Sequence, residues 1–160
     1  MPQPVTSTTL RLDVGARETG VVLQRPGVAD ERFALPIGLT TLWPMGGPGG
    51  GPSPWAIEHA IQVVEDQIEG LHPRVPPGAR LRVARGAVAP LRRDGAIQAV
   101  GHEAISLATV EQWYQALAAR AMGAPSARST GFDDPSGDAL VLILREFMHH
   151  LGFDAVHLAA

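Results

Sequence analysis

Three stretches of the chain carry residues suited to chemistry. The first is PMGGPGGGPSP, residues 44–54, lying between Trp43 and Trp55. Strand character before it and helical character after it give the order in which proteins build anion cradles, because backbone N–H groups at a helix start point at the bound charge. Gly49, Gly50, Gly51 and Ser53 offer a run of donors that Pro52 interrupts, while Pro44, Pro48, Pro52 and Pro54 each lack a backbone N–H. The loop has neither the lysine-bearing spacing of a Walker loop nor the G-x-G-x-x-G of a dinucleotide site. It therefore reads as a connection, as a partner-binding tip flanked by tryptophans, or as an anion site.

The second stretch is basic. Six Arg (Arg74, Arg80, Arg82, Arg85, Arg92 and Arg93) fall between Leu71 and Arg93 with no acid among them. The planar guanidinium fork matches carboxylates and phosphates bidentately, so Arg80, Arg82 and Arg85 are candidate anion ligands together with the glycine loop. The same arginines also stand next to an acidic helical stripe, Glu58, Gln62, Glu65 and Glu69 with Asp66 beside it. Pairing between the two surfaces, within one chain or across a dimer, is the simpler expectation. Exposed pairs contribute only about 0–1 kcal/mol each, so they would set register and partner choice more than stability.

The third stretch, REFMHHLGFDAVH over residues 145–157, holds His149, His150 and His157. It is similar to the zinc helix of the metzincin metalloproteases, H-E-x-x-H-x-x-G-x-x-H, at Glu146, His149 and Gly152. Arg145 and Ala155 stand where the first and third ligating histidines belong, so this run cannot supply three ligands and an open position. As a helix C-terminus, the His149-His150 pair suits the negative end of the helix dipole. A metal at His149, His150 and His157, completed by His102 or Glu103, would need convergence of distant segments. Asp133, Asp134 and Asp138 are close acids at a helix start, where acids are ordinary.

The composition excludes more than it suggests. There is no Cys, so thiol nucleophiles, thiolate metal sites and disulfides are ruled out. All 13 basic residues are Arg, and without Lys there is no Schiff base, pyridoxal-phosphate anchor or P-loop lysine. No G-x-S-x-G nucleophile elbow occurs. A net charge of −3 argues against general nucleic-acid binding. The longest apolar run, residues 139–144, is far short of the roughly 18–20 residues of a membrane span, and residues 1–13 show no signal-peptide pattern. A cytoplasmic setting is expected.

The elements that must position these residues follow from periodicity. Residues 8–14 alternate, residues 20–24 form a second strand after a short link, and residues 33–43 form a third, weakened near Pro36 and Gly38. Ser53 as N-cap, Pro54 at the first position and Ile57, Ile61, Val64 and Ile68 at helical spacing predict a helix ending at Gly70. Residues 80–83 alternate as a strand and residues 95–106 read as extended. A Thr109–Gln112 capping box opens a second helix with Val110, Trp113, Leu117 and Ala121 on one face, closed by Gly123. A third helix, opened by Asp134 and closed by Gly152, is apolar nearly all round and should be the most buried; residues 153–158 follow as a strand.

The order β-β-β-α-β-β-α-α-β predicts a single α+β domain over residues 1–160, a mixed sheet with three helices packed mainly on one face. Its parts are an N-terminal β region (1–43), the Gly/Pro-rich loop (44–54), and the helices and remaining strands (55–160). With 45% hydrophobic residues, a chain of 160 can bury a full core. The leading expectation is a non-enzymatic, homodimeric cytoplasmic accessory or protein-interaction protein without a cofactor. One alternative is a small-anion-binding protein or enzyme using Gly49, Gly50, Gly51 and Ser53 with Arg80, Arg82 and Arg85. The other is a metal-binding protein using His149, His150 and His157. Contact with membranes or nucleic acid is not expected.

Overall fold

The computed structural model describes residues 7–44, 51–92, 103–127 and 130–159. Six strands form one mixed sheet: β1 (Thr9–Val14), β2 (Thr19–Gln24), β3 (Glu31–Leu35), β4 (Arg80–Ala84), β5 (Ala104–Ser106) and β6 (Ala155–Ala159), in the order β3-β2-β1-β4-β6-β5. Strands β1, β2 and β3 are an antiparallel meander, β4 joins β1 in parallel, β6 joins β4 in parallel, and β5 closes the far edge antiparallel to β6. Three α-helices accompany the sheet: α1 (Pro54–Ile68), α2 (Leu107–Ala121) and α3 (Ser136–Leu151).

Alternation decides which face of the sheet is covered. Leu10, Leu12, Leu81, Val83, Val156 and Leu158 point into one core with Ile57, Val64, Ile68, Val110, Leu117 and the inner residues of α3. Their neighbours Arg11, Asp13, Arg80, Arg82 and Ala84 lie on the opposite, exposed face. Helix α3 is buried almost all round from Ala139 to Met148, Arg145 being the one half-buried position. This matches a sequence that is apolar nearly all round the helix. No helix among the described residues is long and apolar enough to cross a membrane.

Local chemistry explains where strands and helices stop. The expected third strand is short: it ends at Leu35 because Pro36 cannot donate to the ladder, and the chain turns there with Ile37 N–H donating to Leu35 O at 2.8 Å. Thr19 Oγ1 then holds Ile37 O at 2.8 Å. Helix α1 begins as predicted, with Ser53 Oγ accepting from Ala56 N at 3.1 Å. It passes directly into a 3-10 turn, Glu69–Arg74, that contains Gly70. Helix α2 starts three residues earlier than the Thr109–Gln112 pair suggests, because Ser106 Oγ accepts from Thr109 N at 3.1 Å and takes the cap. Gly152, at φ 78°, ends α3 in the left-handed conformation that favours glycine. Of the extended run expected over 95–106, residues 93–102 lie outside the described residues and 104–106 are β5.

Candidate functional site

Strands β1, β3, β4 and β6 run in one direction, so their carboxyl ends share an edge of the sheet. Helix α1 follows β3 and α3 precedes β6, which puts the start of both helices at that edge. In open sheets with parallel strands this edge is where ligands bind. Here the two starts line a cleft of about 590 Å³ with Gly51, Pro52, Ser53 and Pro54 on one wall and Phe132, Asp133, Asp134 and Asp138 on the other; Arg120 of α2 also lines it.

The two helix starts are met differently. At α3, Asp134 Oδ1 accepts from Ser136 N at 2.8 Å and from Ser136 Oγ at 2.6 Å, and Asp138 lies in the first turn. Negative groups therefore already answer the positive end of that helix. At α1 the first turn holds no acid, and among the described residues the side-chain cap is the neutral hydroxyl of Ser53. Its field is open to an incoming anion. Arg120 braces the cleft through Thr130 Oγ1 at 2.9 Å and Asp138 Oδ1 at 2.5 Å. The start of α3 is fixed against the 3-10 segment Arg85–Leu91 by Gly137, where a Cβ would stand 2.5 Å from Pro90 O and 2.7 Å from the Phe132 ring. Asp133 N–H also donates to Arg92 O at 2.8 Å.

A second polar cluster sits at the opposite end of the same helices. His150 Nε2 lies 3.0 Å from Glu65 Oε1 and 3.1 Å from Glu146 Oε2. Arg145 donates to Glu146 Oε1 at 2.7 Å and to Glu111 Oε1 at 3.0 Å, and its guanidinium stacks 3.9 Å from the Tyr114 ring centre. His149 hydrogen-bonds Glu111. Burial pushes the Glu146 carboxyl above its ordinary range; Arg145 and His150 offset part of this, and the nearby Glu65 adds to it. Burial acts on Glu111 in the same sense, but the His149 hydrogen bond and the Arg145 charge outweigh it and hold that carboxyl below its ordinary range.

The expected site residues divide among these places. Gly51 and Ser53 line the carboxyl-edge cleft, while Gly49 and Gly50 lie outside the described residues. Arg85, the first residue beyond β4, belongs to that same edge. Arg80 stands at the other end of β4, in a separate hollow with Gly152, Asp154 and His157. Arg82 lies on the outer sheet face, level with Arg11 of β1 and His157 of β6. The arginines are thus spread along the strand and do not form one cluster. His157 is apart from His149 and His150, and His102 lies outside the described residues. Among the described residues the convergent ligand set is Glu65, Glu146 and His150. Sequence reasoning placed His150 but missed its two carboxylates. A visible signal was Glu146 itself, an acid inside an otherwise apolar buried run.

Within one chain, and among the described residues, the acidic helix and the basic stretch take other partners. Arg74 goes to Glu31 of β3 at 2.6 Å, and Glu65 goes to His150. Arg80 and Arg82 project from the sheet face, away from α1, because strand alternation puts Leu81 and Val83 on the helix side.

No family model matches the chain, and no curated protein matches it. Solved structures do. The chain is similar to the PPX-GPPA enzyme of Aquifex aeolicus, with a TM-score of 0.65 at 14% identity over 96% of this chain and 53% of that one. A second structure, the type II variant of the Aquifex aeolicus Ppx/GppA phosphatase, gives a TM-score of 0.63 at 14% identity over 96% and 53% of the two chains. An exopolyphosphatase-like protein gives 0.56 at 15% identity, again over 96% and 53%. The chain therefore spans about half the length of the solved structures it matches, and at these identities the likeness is one of fold. It corrects the expectation of a non-enzymatic accessory or interaction protein, because the structures that share this architecture are described as a PPX-GPPA enzyme, a Ppx/GppA phosphatase and an exopolyphosphatase-like protein.

Proposed function

We propose that this chain is a phosphoanion-binding lobe of a phosphatase-like protein, and that the anion lies at the carboxyl edge of the sheet against the start of α1. The observation that carries the reading is the uncompensated N-terminus of α1, capped by a neutral hydroxyl and opening on a cleft at the edge where such folds take ligands. The likeness to the Ppx/GppA structures supports a phosphorylated ligand. Gly51 and Ser53 approach it through backbone donors, and Arg85 supplies a cation on the same edge. Arg120 keeps the cleft open by holding Asp138 and Thr130. A cytoplasmic setting, in which a chain without Cys needs no disulfides, belongs to the same proposal.

Calorimetric titration with inorganic tripolyphosphate tests it. Saturable binding is expected for the unaltered chain. Ser53→Asp keeps a good N-cap but puts a carboxylate where the anion would sit, so binding should fall about tenfold or more. Absence of saturable binding, or equal binding by Ser53→Asp, would contradict the proposal.

A further inference from the structure

The polar cluster at the far end of α1 and α3 is not used by the carboxyl-edge site. We propose that Glu65, Glu146 and His150 form a binding site for a first-row divalent cation, of which Zn²⁺ is the representative. One carboxylate oxygen from each Glu and the imidazole Nε2 of His150 converge, all within 4.8 Å of one another.

The spacing fits an ion. Metal–N and metal–O bonds of about 2.0–2.2 Å put neighbouring ligand atoms roughly 2.8–3.1 Å apart in octahedral and roughly 3.3–3.6 Å apart in tetrahedral coordination. The two distances from His150 Nε2, 3.0 Å to Glu65 and 3.1 Å to Glu146, fall in the octahedral range. The spacing here therefore suits about five or six ligands, water included. Hydrogen bonding alone serves these groups poorly. Nε2 carries at most one proton, and two carboxylates compete for it; a divalent cation accepts all three donors together. A nitrogen with two oxygens suits ions of intermediate softness better than Mg²⁺ or Ca²⁺, which prefer oxygen throughout.

The surroundings support a cation independently of the three ligands. Glu146 is 1% exposed, a carboxylate kept inside a helix of apolar residues. Arg145 holds its other oxygen at 2.7 Å, leaving Oε2 aimed at His150. Outer partners of this kind orient metal ligands. Both Glu65 and His150 lie in the last turn of their helices, so the negative ends of two dipoles add to the attraction for a positive ion. The site opens on a hollow of about 320 Å³ that Asp66, Glu69 and His72 also line, with room for water or a further ligand.

The test uses the full chain, stripped with chelator and titrated calorimetrically with Zn²⁺. The expected result is one ion per chain, with affinity about 10- to 100-fold weaker in His150→Gln and Glu65→Gln. His149→Gln and His157→Gln should stay within about twofold of the parent, since neither residue belongs to the set. Visible absorption of the Co²⁺-loaded protein should disappear in His150→Gln. Glu146→Gln alters the core, so His150→Gln and Glu65→Gln, both at the surface, decide the outcome if it does not fold. Failure of the parent chain to bind Zn²⁺ saturably would overturn the proposal. So would a loss in His149→Gln or His157→Gln equal to that in His150→Gln.

Discussion

The two ends of the α1–α3 pair treat charge in opposite ways. At the starting end α3 is compensated by Asp134 and Asp138, while among the described residues α1 is met by the neutral Ser53 hydroxyl. At the finishing end the histidines suit the helix dipoles, but Glu65 and Glu146 work against them and share a single imidazole. The first turn of α1 carries no acid, whereas the finishing end sets two carboxylates on one imidazole. Two helices packed on one sheet can therefore present an anion site and a cation site without any change of fold.

The largest effect is expected at Gly137, where the start of α3 is held. A methyl group there would stand 2.5 Å from Pro90 O, so Gly137→Ala must displace the start of α3 and should destabilise the protein by about 3 kcal/mol, read by chemical denaturation. A substitution at Gly70, where nothing lies near an added Cβ, should show no comparable steric loss.

Arg120→Met comes next. It leaves Asp138, a mostly buried carboxylate, without its guanidinium, and a loss of about 2 kcal/mol is expected. Adding Asp138→Asn should recover part of it; strict additivity of the two losses would show that the contact at 2.5 Å carries no coupling.

Ser53 sharpens the contrast between the helix starts. Ser53→Ala removes the cap to Ala56 N and should cost about 1 kcal/mol, whereas Ser53→Asp should leave stability within a few tenths. Equal destabilisation by both variants would mean that the hydroxyl is not acting as a cap.

The smallest effect belongs to the finishing end and depends on pH. Glu111 has a lowered pKa in the folded protein, so its ionised form contributes stability at neutral pH. That contribution disappears as pH falls through the acid range below the usual carboxylate value. Glu111→Gln should therefore lose less stability on acidification than the parent, by no more than about 1 kcal/mol for a pair near the surface. An identical acid profile in the two proteins would show that Arg145 and His149 do not depend on this carboxylate.

Much of this contrast is visible in the residues themselves. Ser53-Pro54 announces the α1 start because capping is local, and Gly152 announces the α3 end for the same reason. Local signals also mislead where two readings compete. Thr109 with Gln112 matches a capping pattern, yet Ser106 reaches the Thr109 amide first. The apolar character of residues 37–43 suggests a strand, but Pro36 breaks the ladder and Gly38 tucks against Ala16, where a Cβ would clash at 2.5 Å. The cation cluster could not be read this way. Glu65 and His150 are 85 residues apart, and their meeting depends on how α1 and α3 pack on the sheet.

The central claim is that a phosphoanion binds at the start of α1. Amide chemical-shift mapping by NMR with inorganic tripolyphosphate tests it most directly. Saturable shifts are expected in the amides of Gly51, Ser53, Trp55 and Ala56 and of the non-proline residues of 133–138, with little change in residues 146–152. Shifts centred on Arg11, Arg82 and His157 of the outer sheet face, or no saturable shifts, would contradict it.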